Sequence, residues 1–219
     1  MPTKPPRRTR QRILDTALAL FNRDGEPNVT TAHIADEMNI SPGNLYYHFR
    51  NKDDIIGELY AAHEASLAPL LDVPPERSVS VEDLWLLLHL LFERMGAYRF
   101  LYRDLDEITS RNRRVALAFA ALVRRGESAV RTLADGLARE GVLEATSRER
   151  AALARNVVLV CTYWMSFQRV SQVAPASVAQ RDTARIDPGQ AAYQVLALVA
   201  PFLVGDARAL VERLGEDYL

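Results

Sequence analysis

The 219 residues include a single cysteine, Cys161, which has no partner for an intramolecular disulfide. The opening MPTKPPRRTR lacks the apolar stretch of a secretory signal, so a reducing, cytoplasmic location is expected. Long hydrophobic runs are also missing. The most apolar stretches, residues 84–92 and 191–204, fall short of the ~20 residues a bilayer-spanning helix needs, and polar groups interrupt both, so no membrane partner is expected. There is no phosphate-binding Walker loop and no Gly-rich dinucleotide fingerprint, and the four histidines, His33, His48, His63 and His89, are scattered. His89 and Glu93 are four apart, as on one helix face, but two ligands make an incomplete zinc site. No catalytic group, metal or cofactor is therefore expected. A formal net charge of −1 and a pI near 6.4 lack the cationic excess of a general nucleic-acid coat, so any binding to nucleic acid must rest on local charge.

What is present is helix. With 48% hydrophobic and 25% charged residues the chain can bury a large core as one domain or two. Apolar residues recur at helical spacing, and almost nothing alternates as a strand would. A first helix is expected over residues 8–24, with Ile13, Leu14, Ala17, Leu18 and Phe21 on one face and Gly25 as its stop. A helix from about Lys52 carries Ile55, Ile56, Leu59 and Tyr60 until Pro69 and the Pro74-Pro75 pair break the pattern. Ser80 with Asp83 caps an apolar helix, and a short one follows through Tyr102 and Leu105. Residues 112–140 read as one helix or two, with small-residue breaks at Gly126 and Gly136. Thr146 with Glu149 opens a helix reaching toward Val173, residues 174–188 are polar and broken, and helices over residues 188–204 and 206–214 close the chain.

The most informative segment is TTAHIADEMNISPGNLYYHFRNKDD, residues 30–54. Thr30 has the oxygen of an N-cap ahead of the stripe Ile34, Ala35 and Met38, and Asn39 suits a left-handed C-terminal position. Ser41-Pro42 then supplies a second cap with proline at the first helical position. In the helix that follows, Leu45 and Phe49 face the core, turning Gly43, Asn44, Tyr46, Tyr47 and His48 to the other sides. Gly43 lets a backbone approach a base pair closely, and a tyrosine can pack on a thymine methyl or reach a phosphate. Asn51 with Asp54 opens the next helix near Lys52, where free N–H groups and a cation can meet one phosphate. Upstream, Lys4, Arg7, Arg8, Arg10 and Arg12 fall within twelve residues that contain no acid, as in an arm that follows the DNA backbone or enters the minor groove. These features point to a helix-turn-helix that reads DNA. A helical hairpin of some other all-α protein is the competing reading, but adjacent tyrosines cannot share one helix face.

The run from Ser41 to Asp53 resembles the recognition helix and following turn of the tetracycline-repressor (TetR) family. Ile13-Leu14-Asp15-Thr16-Ala17, Leu20-Phe21, Gly25, Thr30-Thr31 and Ile34-Ala35 are similar to that family's first two helices at matching distances. The likeness covers about the first 60 residues. It implies that Thr31, Ser41, Tyr47, His48 and Lys52 hold phosphates and that Gly43, Asn44 and Tyr46 face base edges. Pro42 departs from the pattern, since many members carry a longer side chain there.

The expected architecture is all-α: an N-terminal arm with a three-helix helix-turn-helix DNA-binding domain over residues 1–52, and a larger helical ligand-binding and dimerisation domain over residues 53–219. The helices over residues 151–173 and 189–204 are apolar on more than one face, with Ala191, Ala192, Ala197 and Ala200 small enough for close approach, so pairing of these last long helices in a homodimer is expected. Two-fold symmetry would set two recognition helices about 34 Å apart on a palindromic operator. Bulky groups populate the larger domain, and a small-molecule pocket is expected around Trp85, His89, Phe92, Tyr102, Tyr163, Trp164, Phe167 and Gln168, with His89, Tyr163 and Gln168 as polar handles. The stretch Tyr98-Arg99-Phe100-Leu101-Tyr102-Arg103-Asp104-Leu105 resembles one in the effector domains of some TetR-type regulators, which implies an apolar or acyl-like inducer. Arg99, Arg103, Asp104 and Asp106 are read as surface ion pairs between helices. The resulting expectation is a ligand-released repressor. The alternative is a small-molecule carrier or enzyme with an incidental helix-turn-helix; only a regulator prefers its own operator to bulk DNA at physiological salt.

Overall fold

Local capping sets where each helix starts. In the computed structural model, which describes residues 6–76, 78–171 and 188–216, the order is α1 (Pro6–Asp24), α2 (Thr31–Glu37), α3 (Pro42–His48), α4 (Lys52–Leu71), α5 (Val81–Ala97), α6 (Phe100–Arg103), α7 (Leu105–Arg111), α8 (Arg113–Arg139), α9 (Ser147–Ser171), α10 (Pro188–Val199) and α11 (Gly205–Glu216). No strand occurs among the described residues beyond a single bridge between Leu143 and Leu203. Thr30, Ser41, Asn51, Ser80 and Asn112 each accept a backbone N–H three residues on, and Thr146 does the same for Glu149. The all-α reading holds, and helices α1 to α3 form the small N-terminal unit.

Ile13, Ala17 and Phe21 of α1, Ile34 and Ala35 of α2, Leu45 of α3 and Ile55 and Ile56 of α4 are all fully buried and join one core. That core continues into the larger unit through Phe92, Phe100, Leu101 and Ile108, so the two units share packed side chains and are not held by a linker alone.

Several elements differ from the sequence expectation. Helix α4 runs through Pro69 to Leu71, because a proline this close to a helix end removes one donor and the Asp72 N–H still reaches the Ala68 carbonyl at 3.1 Å. The short helix expected around Tyr102 is two, α6 and α7, which meet at Asp104. Residues 113–139 are one continuous helix. Gly126 does not break it: a Cβ there would stand 3.3 Å from Val158 Cγ2, so the glycine lets α9 approach α8. Helix α10 ends at Val199 and a 3-10 turn through Pro201 follows. Ala191, Ala192, Val195 and Leu196 are buried, with α10 packed on α5 and α9 of the same chain, while Ala197 stays exposed and Tyr193 and Leu198 are half-buried. Residues 174–187 and the side chains of Lys4 and Arg7 lie outside the described residues.

Candidate nucleic-acid interface and ligand cavity

The N-terminal unit is built by reciprocal caps. Thr30 Oγ1 accepts from the His33 N–H at 3.2 Å, while His33 Nδ1 accepts from the Thr30 N–H at 3.4 Å. Helix α2 stops at Asn39, whose φ of 54° is the left-handed value the sequence called for, and the Ile40 N–H closes on the Ala35 carbonyl at 3.0 Å. Ser41 Oγ accepts from the Asn44 N–H at 3.2 Å and α3 begins at Pro42. Two short helices are thereby fixed across a tight turn.

With Leu45 and Phe49 buried, α3 turns its remaining residues outward: Tyr46 is 51% and Tyr47 79% exposed. Ser41, Gly43 and Asn44 are exposed, and Thr31 and His48 are half-buried. The Tyr46 and Thr31 hydroxyls hydrogen-bond at 3.1 Å, linking α3 to the start of α2. Tyr47 meets His48 edge-on at 5.1 Å. A Cβ on Gly43 would come no nearer than 4.0 Å to any atom, that of Ser41 Oγ, so nothing inside the protein requires glycine there. The room it leaves lies on the outer face.

Two cations expected at this surface are engaged elsewhere. Lys52 Nζ donates to the carbonyls of Glu26 (3.0 Å) and Val29 (2.9 Å) and sits 2.7 Å from Glu26 Oε1. Its charge therefore serves a fully buried carboxylate. Arg10 pairs bidentately with Glu58 and lies 4.5 Å over the Phe49 ring, bracing α1 against α4. Arg8 near the start of α1 and Arg50 just after α3 remain exposed.

The larger unit holds a partly open cavity of ≈120 Å³ between α4, α5, α6, α8, α9 and α10, walled by aliphatic groups such as Leu67, Leu88, Leu133, Val157 and Val199. Of the eight residues expected around a pocket, Tyr102 reaches its wall. Phe92 is fully buried in the core. Trp85 and His89 meet edge-on at 4.1 Å, with His89 Nδ1 3.0 Å from the Trp85 carbonyl. Trp164 and Phe167 pack at 5.6 Å, Gln168 donates to Gln190 at 3.0 Å, and Tyr163 faces outer grooves. The cavity is made by leucines and valines opposite the small residues Gly126, Ala129 and Ala134 of α8, a pattern visible in the sequence as a row of small side chains.

Between interface and cavity lies a charge cluster around the buried Glu26. Arg111 Nη2 donates to Glu26 Oε1 at 2.5 Å and Arg111 Nε to Asp53 Oδ1 at 3.1 Å. Asp104 Oδ2 accepts from the Glu26 N–H at 2.9 Å, and Arg103 Nη2 donates to the Phe21 carbonyl at 2.5 Å. Arg103 and Asp104 are 12% and 10% exposed, so they are an interior junction and not the surface ion pairs the sequence suggested. Asn22 adds a second tie, accepting from the Phe100 N–H at 3.1 Å and donating to the Ala97 carbonyl at 2.8 Å.

Residues 13–59 match the family model described as bacterial regulatory proteins, tetR family, and residues 62–211 match the model described as bacterial transcriptional repressor. A solved TetR-family transcriptional regulator from Marinobacter aquaeolei VT8 is similar over 96% of this chain and 98% of its own, at 36% identity and a TM-score of 0.84. The HTH-type transcriptional regulator AcrR of Shigella flexneri is 36% identical over 62 residues, 28% of this chain and 29% of that protein. The probable acrEF/envCD operon repressor of Escherichia coli K12 is 38% identical over 53 residues, 24% of each chain. With these curated relatives the match spans less than a third of their length.

Proposed function

Since the chain belongs to the tetR family of bacterial transcriptional regulators, we propose that it is a repressor that binds a palindromic operator as a homodimer and is released by a small apolar molecule held in the cavity of the larger unit. The observation that carries the reading is the outer face of α3. Two adjacent tyrosines stand half to four-fifths exposed beside a glycine that the interior does not need. On this reading Gly43, Asn44 and Tyr46 face base edges, while Thr31, Ser41, Tyr47 and His48 meet phosphates. Lys52 holds the Glu26 turn in place and acts on DNA through it.

The second copy docks on α9. Leu159, Tyr163, Phe167 and Val170 are exposed and recur at four, four and three residues, one stripe along the helix, with exposed Leu117 on neighbouring α8. Pairing these stripes about a two-fold axis buries them and presents two recognition helices to one face of a duplex.

Release follows from differential affinity. Ligand binds more tightly to a conformation in which α6 and α7 have shifted, and the junction of Arg103, Asp104 and Arg111 carries that shift to Glu26 and to the start of α4. DNA then weakens ligand by the same factor that ligand weakens DNA.

The test is a pair of substitutions measured on operator and on unrelated duplex. Tyr47→Phe should weaken both by a similar factor, and Tyr46→Ala should lose most of its affinity on operator alone, by about 1–3 kcal/mol. Equal losses on both duplexes for both variants would overturn the assigned roles.

A further inference from the structure

The cavity is selective in ways its walls make explicit. None of its lining residues is Asp, Glu, Lys, Arg or His, so neither an anion nor a cation would find a counter-charge after losing its water. Its walls extend over about 16 Å of α5, from Leu84 to Met95, and about 27 Å of α8, from Phe119 to Leu137, taking 1.5 Å of rise per residue. A free volume of ≈120 Å³ between such walls suits a slender aliphatic group better than a bulky multi-ring one.

Its two ends differ. Toward Leu137, Leu143 and Leu153 the lining is wholly aliphatic. At the Phe119 end stand Tyr102, whose ring lies 5.8 Å from Phe119, together with Cys161 and Thr162. The Thr162 hydroxyl already donates to the Val158 carbonyl at 2.7 Å, and burial pushes the Cys161 thiol up to about 12, so it stays neutral. The Tyr102 hydroxyl is 2.7 Å from His63 Nε2, and His63 is fully buried. Burial lowers His63 to about 4, so the ring is uncharged near neutrality. A neutral imidazole has two tautomers. In one the phenol donates to His63 and keeps its lone pairs for a ligand O–H; in the other it accepts from His63 and turns its own O–H to a ligand carbonyl. Behind Phe119, at 6.1 Å, lies Tyr60, whose buried hydroxyl has no hydrogen-bond partner among the described residues.

We infer that the cavity takes an unbranched, uncharged aliphatic chain bearing a hydroxyl or carbonyl at one end, with that group at Tyr102 and the hydrocarbon running toward Leu137 and Leu143. The inference rests on the proposal that this cavity is the effector site, and it narrows the ligand to one chemical class.

The test is calorimetry on the full chain without DNA, using straight-chain primary alcohols from hexanol to tetradecanol and the matching fatty acids. Affinity for the alcohols should rise about fourfold per methylene, the equivalent of ~0.8 kcal/mol, until the cavity is full and then level off. At neutral pH each alcohol should bind at least about tenfold tighter than its acid. Tyr102→Phe should weaken the best alcohol by about two- to tenfold. Ala129→Leu, which projects a larger side chain into the cavity, should shorten the longest chain accepted; thermal melting of each variant checks that it folds. Affinity that ignores chain length, or fatty acids bound more tightly than alcohols, would overturn the inference while leaving operator binding intact. An alcohol that binds as described but does not release operator would uphold the ligand class and overturn the cavity's role in release.

Discussion

Gly43 separates what folding needs from what DNA needs. In a helix glycine is about 1 kcal/mol worse than alanine, and at Gly43 there is space for a Cβ, so Gly43→Ala should leave the fold unharmed or stabilise it by a few tenths of a kcal/mol. On DNA the added methyl occupies the outer face, and operator affinity should fall at least about tenfold in a fluorescence-anisotropy titration. An unchanged affinity would remove α3 from close contact with base pairs. A second residue-scale prediction concerns His63. Its folded pKa, about 4, lies below the ordinary 6.5, so as pH falls through that window the unfolded chain takes up a proton that the folded chain refuses. Stability is full above about 6.5 and declines toward 4, by on the order of 3 kcal/mol for this group. Urea unfolding of the wild type and of His63→Gln across that range should show the shallower pH slope in the variant; equal slopes would contradict the burial argument. At this scale the outer face of α3 was legible, because caps and apolar spacing fix which side a residue takes. Lys52 was not: its partner Glu26 lies in an earlier turn, and no local pattern announces a carboxylate that will be buried.

Helices α6 and α7 touch both the cavity and the N-terminal unit. Tyr102 of α6 faces the cavity, while Arg103 and Asp104 beside it bind the α1–α2 turn and Arg111 of α7 reaches Glu26 and Asp53. Arg111→Ala leaves Glu26 paired with Lys52, so the fold should survive. The change in operator affinity on adding a cavity ligand, typically worth 1–3 kcal/mol in coupled proteins, should then shrink to less than half. Titrating operator with and without ligand, for wild type and variant, reads this directly; undiminished coupling would move the link elsewhere. Element positions were legible where a cap writes them, as at Thr30, Ser41, Ser80 and Thr146. Gly126 misled, because the same residue that ends an isolated helix lets Val158 approach in a packed one. The cavity was missed because free space arises between helices and belongs to no single segment.

For the whole molecule the question is how two copies meet. The sequence pointed to both long C-terminal helices; α10 buries most of its apolar side chains within the chain but leaves Ala197 exposed, and the α9 stripe is open, with Phe167 61% and Val170 70% accessible. Phe167→Glu combined with Tyr163→Glu should place like charges across a two-fold contact, yielding monomers by sedimentation at micromolar protein with an unchanged thermal melt, and operator affinity should fall by at least about a hundredfold. A charged variant that stays dimeric would remove α9 from the interface. The central claim, that this is a dimeric reader of a specific operator, is tested most directly by selecting fragments of the source genome on the purified protein at physiological salt and sequencing what is retained. The expected result is enrichment of a palindrome with half-sites whose centres lie about one helical turn apart, or a whole multiple of it. Retention without a common motif, weakening steeply as salt rises, would reduce the interaction to charge alone and rule out a dimeric operator reader.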